Sequence, residues 1–270
     1  MKAVFIALNK EVNLKIVIIV MAKIVLITGA TSGIGKATAL MLAKNGYSLI
    51  LTGRRKERLE KLKKEISGDV YTLCFDVSKR DEADSALNNL PEEWKNIDIL
   101  INNAGKAIGI DELASGNISE WEQTIDTNIK GLLYVTRLLL PGMKKRKCGH
   151  IVNLSSIAGK ETYPGGSIYC ATKHAVNAIS DSMRVELLPY SIKVSTISPG
   201  AVETEFSVVR FRGDKKKADN VYRGLTPLYA KDIAECIYFV ISRPENVTIA
   251  DIKILAGAQA SARDFYRKEK

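Results

Sequence analysis

The chain has 270 residues, of which 46% are hydrophobic and 26% charged, so its composition fits a globular domain with a large core and excludes a disordered chain. Its formal net charge of +10 raises the question of a nucleic-acid partner. The basic residues are scattered, however, and the runs 144–147 and 215–217 contain no aromatic residues, so we expect a solvated basic surface and no nucleic acid.

The first 21 residues differ from the rest of the chain. Polar residues interrupt their apolar stretches, and the longest clean run, 16–22, is too short to span a bilayer. No cleavage pattern separates this run from the strand-like sequence that follows Met21. We therefore expect residues 1–21 to be a peripheral N-terminal extension, or Met21 to be the natural start.

From residue 22 onward, short β-branched runs alternate with longer amphipathic segments, which is typical of parallel strands joined by helical crossovers. The predicted strands are 24–28, 48–52, 70–75, 97–101, 150–154, 193–197 and 249–255. The predicted helices are 36–45, 56–66, 80–90, 118–140, 167–188 and 231–242. The sequence thus predicts a single-domain α/β fold over 22–270, a Rossmann-type doubly wound sheet of about seven parallel strands, with 202–227 as a loop-like substrate lid.

A glycine-rich turn follows the first predicted strand and opens the first helix. Glycine lets the backbone turn sharply and approach a pyrophosphate, and the helix N-terminus offers unpaired N–H groups. This context favours a nucleotide site over a purely structural turn. The cofactor-binding residues predicted here are Gly29, Thr31, Ser32, Gly33, Ile34 and Gly35.

The second predicted strand ends in Gly53, Arg54 and Arg55. An acidic residue at this place accepts the ribose 2′-hydroxyl of NAD, whereas arginine accommodates the 2′-phosphate of NADP. A solvated start of the next helix is the alternative interpretation, because Lys56 and Arg58 follow. The absence of an acid beside two guanidinium groups favours NADP(H).

Two further strand ends supply candidate cofactor contacts. Asp76 and Val77 follow the third strand, where Asp76 either hydrogen-bonds the adenine amino group or caps the next helix. Asn103, Ala104 and Gly105 end the fourth strand, where small residues let the backbone pass close to a ribose. Doubly wound sheets bind their ligands at these carboxyl ends.

Tyr169 and Lys173 stand four residues apart on one predicted helix, so they share a face. A tyrosine pKa of about 10 is too high for efficient proton transfer near neutrality, and a neighbouring cation favours the phenolate. The pair alone has little meaning, because such spacing is common on helix surfaces. Ser156 closes the fifth strand, 13 residues before Tyr169, and Asn128 lies in the preceding helix.

These residues, in this order with TGATSGIG and NNAG, resemble the short-chain dehydrogenase/reductase family over 22–260. The resemblance implies that Tyr169 is the general acid or base, that Lys173 lowers its pKa and holds the nicotinamide ribose, and that Ser156 binds the substrate oxygen. It also implies that Asn128 supports a water-mediated proton relay. The implied contacts of the nicotinamide carboxamide are Pro199, Gly200, Val202 and Thr204.

Residues 198–214 and 163–166 resemble the branch of that family that contains serine 3-dehydrogenases and 3-hydroxy acid dehydrogenases. This implies a small-molecule substrate such as serine, allo-threonine or 3-hydroxypropionate, and a homotetramer. A carboxylate substrate needs a cation near the lid, which Arg210 or Arg212 could supply. The alternatives are a reductase of the same fold for a neutral ketone, diketone or acyl-thioester, and a non-catalytic NADP-sensing protein.

The cysteines and histidines argue against a disulfide framework, a metal centre and a Ser-His-Asp hydrolase. The four cysteines form no CxxC pair, which favours a reducing compartment, the cytoplasm, over a disulfide framework. The only histidines, His150 and His174, are too few for a metal centre or a Ser-His-Asp hydrolase, so we expect no metal.

Overall fold

The computed structural model describes residues 22–268 and two short strands that precede them. These two strands pair with each other in antiparallel register, Ala3 opposite Val20. The sequence predicted no strands there, and the rest of the predicted N-terminal extension lies outside the described residues.

The strands of the described residues are β1 (Ala3–Phe5), β2 (Ile18–Val20), β3 (Ile24–Ile27), β4 (Ser48–Gly53), β5 (Val70–Cys74), β6 (Ile99–Asn102), β7 (Gly149–Leu154), β8 (Ile192–Pro199), β9 (Val202–Glu203), β10 (Leu228–Tyr229) and β11 (Asp251–Ile254). The helices are α1 (Gly33–Lys44), α2 (Lys56–Glu65), α3 (Arg80–Asn88), α4 (Ile118–Ile125), α5 (Leu132–Arg146), α6 (Ser167–Leu187), α7 (Glu205–Arg210), α8 (Lys215–Asn220) and α9 (Ala230–Ile241).

Seven strands form one parallel sheet in the order β11-β8-β7-β6-β3-β4-β5. The chain therefore winds outward in both directions from β3, and the switch point lies between β3 and β6. The predicted doubly wound sheet of seven parallel strands is confirmed. Ligands of such sheets bind in the crevice at the carboxyl ends of the strands beside the switch point.

The central strands of the sheet are buried on both faces, which explains why β3, β4 and β6 are largely apolar. Successive residues of β3 alternate between two cores, because Val25 and Ile27 pack with α1, α2 and α9 on one face. Leu26 packs with α3, α5 and α6 on the other face. The two cores hold the strand ends, and thus the crevice, in a fixed geometry.

The predicted helix 118–140 is divided in the structure. A π-helical turn, Asp126–Gly131, separates α4 from α5, and α5 continues past Pro141 to Arg146. A π-helical turn inside an α-helix is rare and frequently lies at a functional site. Asn128 lies within this turn.

The segment 202–227 is more regular than the predicted loop. Strands β9 and β10 pair in parallel and close its base. Thr204 caps α7 by accepting a hydrogen bond from the Phe206 amide, and Asp214 caps α8 by accepting one from the Lys217 amide. The prediction of an irregular lid is therefore wrong, because N-cap side chains and a short strand pair order this segment.

Within the described part of the chain, no helix has both the length and the apolar character that crossing a membrane requires.

Candidate active site

The glycine-rich turn has the backbone geometry that its sequence predicts. Gly29 and Gly33 have φ angles of +66° and +52°, a region that favours glycine. A Cβ atom on Gly29 would lie 2.9 Å from the Cα of Ala104, so the turn packs directly against the end of β6. Thr28 fixes this contact, because its hydroxyl accepts hydrogen bonds from the amides of Asn103 and Ala104, both at 3.0 Å.

A cavity of about 300 Å³ lies over this turn and runs along the strand ends. Its lining suits a dinucleotide, since glycine backbone, the α1 N-terminus and two arginines border it. The predicted cofactor residues that line it are Gly29, Thr31, Ser32, Gly33, Ile34, Arg54, Arg55, Asp76, Val77, Asn103, Ala104, Gly105, Tyr169, Lys173, Pro199 and Thr204.

Three predicted cofactor residues do not line that cavity. Gly35 permits α1 to pack closely against the end of β6, because a Cβ there would lie 2.5 Å from the side-chain nitrogen Nδ2 of Asn103. Gly200 and Val202 line an adjoining cavity instead. The lining of the cofactor cavity therefore does not support a direct contact between these three residues and the cofactor.

The two arginines after β4 border one end of the cofactor cavity. The Nη2 atom of Arg55 lies 2.7 Å from the Thr31 hydroxyl and 2.9 Å from the Ser32 hydroxyl. Arg54 is more exposed, and its Nη1 atom lies 3.4 Å from a carboxylate oxygen of Asp76. Arg55 is thus fixed on the glycine-rich turn, while Arg54 pairs with Asp76 just after the neighbouring strand β5.

Asp76 orders the turn after β5 and does not cap the next helix. Its Oδ1 accepts hydrogen bonds from the amide and hydroxyl of Ser78, at 2.9 and 2.8 Å. The N-cap residue of α3 is Lys79, so the capping alternative is wrong. Burial raises the pKa of Asp76, but the hydrogen bonds from Ser78 and the charge of Arg54 outweigh it and hold that pKa below its ordinary value.

Tyr169 lies half-buried on α6, between the two cavities, and lines both. Its ring centroid is 5.5 Å from that of Phe206 on α7. Burial, and then the neighbouring phenol of Tyr163, raise the pKa of Tyr169, while a hydrogen bond with Ser156 and the charge of Arg210 lower it. The net effect is a raised pKa, opposite to the lowering expected from Lys173, because burial is the largest influence.

Lys173 is 6% exposed. Its ammonium donates a hydrogen bond to the carbonyl of Leu154 at 2.7 Å and lies 5.8 Å from the ring centroid of Tyr169. Burial lowers the pKa of Lys173 to about 8. The predicted pair therefore shares one site, with the ammonium held under the ring by the end of β7.

Ser156 lies where β7 ends and lines the adjoining cavity next to Tyr169. Its hydroxyl accepts a hydrogen bond from the Ala158 amide at 3.1 Å and donates one to the carbonyl of Pro199 at 3.4 Å. Ser155 before it is buried and donates to the carbonyl of Lys173 at 3.3 Å. Ser155 thus fixes α6 and also lines both cavities, whereas Ser156 lines the adjoining cavity alone.

Asn128 lines neither cavity, because its side-chain amide is fully engaged with protein groups. Its Oδ1 accepts from the Lys106 amide at 2.9 Å, and its Nδ2 donates to the Lys106 carbonyl at 2.8 Å. The same Nδ2 lies 3.0 Å from the hydroxyl of Thr172, on α6. Asn128 thus ties the loop after β6 to the helix that holds Tyr169 and Lys173.

The adjoining cavity has a volume of about 400 Å³ and contains the predicted cation of the lid. The guanidinium carbon of Arg210 lies 5.1 Å from the ring centroid of Tyr163 and 5.7 Å from that of Tyr169. The Arg210 Nε is buried and has no hydrogen-bond partner among the described residues. A buried donor without a partner is costly unless a ligand satisfies it.

Arg212 occupies a different position from Arg210. Its guanidinium forms ion pairs with Asp111 and with Glu120, the latter at 2.7 Å, on the loop and helix that face the lid. Arg212 therefore anchors the lid, and the structure leaves Arg210 as the lid arginine that faces the cavity.

A comparison with known protein families shows the family to which the chain belongs. The family model described as short chain dehydrogenase matches residues 23–214. The chain belongs to the short-chain dehydrogenase family. It is an enzyme of that family, an oxidoreductase.

The similar proteins of this family cover nearly the whole chain. The NADP-dependent 3-hydroxy acid dehydrogenase of Schizosaccharomyces pombe is 45% identical over 252 residues, 92% of this chain and 97% of the relative. The NADP-dependent 3-hydroxy acid dehydrogenase of Escherichia coli K12 is 42% identical over 240 residues, 88% of this chain and 97% of the relative.

Solved structures of this short-chain dehydrogenase family agree with the fold. The closed form of serine dehydrogenase complexed with NADP+ superposes with a TM-score of 0.87 at 41% identity. The superposition covers 91% of this chain and 100% of that chain. Serine dehydrogenase from Escherichia coli gives a TM-score of 0.77 at 38% identity, covering 88% of this chain and 99% of that chain.

The sequence analysis missed several residues that line the cavities of this short-chain dehydrogenase. Lys106, Ser155, Glu205 and Phe206 line the cofactor cavity. Lys106 follows the predicted NNAG end and Ser155 precedes Ser156, so their positions were available signals. Glu205 and Phe206 belong to the segment 202–227. Because the sequence predicted a loop there, nothing indicated that these two residues would lie near Arg55.

Proposed function

We propose that the chain oxidises 3-hydroxy acids such as serine, allo-threonine or 3-hydroxypropionate, or reduces the corresponding 3-oxo acids, with NADP(H). One observation carries the choice of an acid: the Arg210 Nε is buried, without a hydrogen-bond partner among the described residues, in the cavity that also contains Tyr169 and Ser156. Arginine pairs with a carboxylate through two parallel hydrogen bonds, which would satisfy this donor.

The enzyme uses NADP(H) as its cofactor. The glycine-rich turn around Gly29 and Gly33 leaves room for a pyrophosphate over the α1 N-terminus, and Arg54 and Arg55 supply guanidinium groups where a 2′-phosphate needs them. When bound, the nicotinamide ring accepts or donates the hydride. The names of the similar proteins agree with this cofactor.

Tyr169 is proposed as the proton-transfer residue. Its phenol lines both cavities, so it stands where cofactor and substrate meet. In alcohol oxidation Tyr169 takes the proton from the substrate hydroxyl, and in carbonyl reduction it returns a proton to the carbonyl oxygen. Ser156, on the same cavity wall, orients that oxygen by a hydrogen bond.

Lys173 and Asn128 are proposed to support Tyr169. The charge of Lys173 favours the phenolate when Tyr169 has lost its proton. Lys173 also lines the cofactor cavity, where its ammonium can hold a ribose hydroxyl. Asn128 holds Thr172 and Lys106 in place, and the predicted water-mediated relay at Asn128 stays a prediction.

The predicted homotetramer and cytoplasmic location belong to this proposal as well. Exposed apolar side chains on one pair of helices support self-association: Leu133 on α5 is 41% exposed, and Val185 at the end of α6 is 75% exposed. The four cysteines are free, which agrees with a reducing compartment.

The experiment that tests the proposed substrate class is a panel followed by NADPH absorbance. It contains serine, allo-threonine and 3-hydroxypropionate for oxidation, and malonic semialdehyde and neutral diketones for reduction. We expect the acids to give the highest kcat/KM. A higher value for the neutral diketones would favour the alternative reductase, and turnover of none of them with intact NADPH binding would favour the NADP-sensing protein.

A further inference from the structure

Glu205 places a carboxylate between two arginines at the adenosine end of the cofactor cavity. It is the first residue of α7, and it lines the cofactor cavity together with Arg54 and Arg55. One of its oxygens lies 3.0 Å from the Nη1 atom of Arg55, and the other lies 2.8 Å from the Nη1 atom of Arg58. The lid is thus tied to the arginines that follow β4.

Arg55 has little freedom to avoid Glu205. Its Nε and Nη2 atoms donate to the hydroxyl of Thr31, at 3.2 and 2.7 Å, and Nη2 also reaches the Ser32 hydroxyl. Only the Nη1 atom points to Glu205. A phosphate that binds the open side of this guanidinium therefore meets the donor that Glu205 already uses.

Carboxylates neutralise part of the positive charge at this end of the cavity. Arg54, Arg55 and Arg58 bring three positive charges and Lys106, close to Arg54 and Asp76, brings a fourth, while Asp76 and Glu205 neutralise two of them. A phosphate monoester has a charge of about −1.5 to −2 at neutral pH, whereas the ribose hydroxyl of NAD(H) is neutral. Removing the Glu205 carboxylate raises the net positive charge that the phosphate meets, frees the Nη1 donors of Arg55 and Arg58, and makes no difference to the hydroxyl.

We propose that Glu205 is a specificity-determining residue that competes with the 2′-phosphate of NADP(H) for Arg55 and Arg58. The side chains of Arg55 and Glu205 are 43% and 52% exposed. Ion pairs of such exposure are weak, so a phosphate with nearly two charges displaces the carboxylate. The 2′-phosphate thereby replaces the contact of Glu205 with Arg55 and Arg58 by its own contact with these arginines. This exchange takes place at the N-terminus of α7, the helix that ends in Arg210.

The test uses Glu205→Gln, which keeps the shape of the side chain and removes its charge. The matched control is Glu203→Gln, an exposed carboxylate two residues earlier that forms no ion pair among the described residues. Binding of adenosine 2′,5′-bisphosphate and of 5′-AMP to each purified variant is measured by calorimetry at low salt. These probes differ only in the 2′-phosphate.

Glu205→Gln is expected to bind the 2′,5′-bisphosphate about two- to fivefold more tightly than the unaltered enzyme, with 5′-AMP unchanged. Glu203→Gln should leave both affinities unchanged. Unchanged or weaker binding of the bisphosphate to Glu205→Gln, or an equal change for both nucleotides, would overturn the proposal. The measurement contains no hydroxy acid, so its outcome is independent of the proposed substrate.

Discussion

The guanidinium of Arg210 lies over the ring of Tyr169, with its central carbon 5.7 Å from the ring centroid. The lid helix α7 therefore brings a cation to the same ring that Lys173 approaches, at 5.8 Å. Through this arrangement the segment 202–227 contributes to the proposed proton-transfer site as well as to the proposed carboxylate site.

Replacing Arg210 by Gln should raise the KM for malonic semialdehyde about 10- to 100-fold, because hydrogen bonds to charged groups contribute about 1.5–3 kcal/mol. The KM for a neutral diketone should change far less. Arg212→Gln is the matched control, since Arg212 pairs with Asp111 and Glu120 outside the cavity and should affect both substrates alike. Equal changes for both substrates in Arg210→Gln would dispose of the carboxylate site.

Replacing Arg55 by Gln should lower kcat/KM for NADPH about 10- to 100-fold and change that for NADH little, because only NADPH has a charged group at this position. Lys56→Gln removes the same charge from the next residue, which is exposed and forms no ion pair among the described residues. Steady-state rates with both nucleotides measure the effect. If Arg55→Gln weakened the two nucleotides equally, the assignment of Arg55 to the 2′-phosphate would be wrong.

Replacing Lys173 by Met should abolish turnover and yet stabilise the fold. Burial lowers the pKa of Lys173 to about 8, below its ordinary 10.5, so folding is opposed while the side chain must stay charged. The penalty is fully present below pH 8 and disappears as the pH rises toward 10.5, where the unfolded lysine also loses its proton. At pH 7 its upper bound is about 3 kcal/mol, reduced by the lost hydrogen bond to Leu154.

Chemical denaturation of both proteins at several pH values checks this prediction. The stability advantage of Lys173→Met should be largest at pH 7 and should shrink between pH 8 and pH 10.5. A variant that is less stable at pH 7 would contradict the predicted stabilisation, and a difference in stability that is independent of pH would contradict a buried charged lysine in this position.

The sheet and the cofactor turn could be predicted because local sequence determines them. Runs such as 24–28 are apolar on both faces only when helices cover both faces, and Gly29 and Gly33 occur where the backbone needs positive φ. The predicted fold class is confirmed, as are the family, predicted from the order of its motifs, and NADP(H), predicted from Arg54 and Arg55. Element boundaries moved by a few residues, as at β6, which begins at Ile99.

The lid and the electrostatics could not be predicted in the same way. The contact of Glu205 with Arg55 joins residues 150 positions apart, so no local pattern reveals it. The pKa of Tyr169 is raised by burial and by Tyr163 and lowered by Ser156 and Arg210, and these influences follow from tertiary packing. The same holds for Asn128, whose amide partners come from a loop and from α6.

The most direct test of the proposed mechanism is the kcat of Tyr169→Phe, which removes only the phenolic hydroxyl. The control is Tyr163→Phe, which makes the same change in the neighbouring ring of the adjoining cavity. Turnover should fall about 10²–10⁴-fold in Tyr169→Phe, while its affinity for NADPH stays close to that of the unaltered enzyme. Retained turnover in Tyr169→Phe would contradict the assignment of Tyr169 as the residue that transfers the proton.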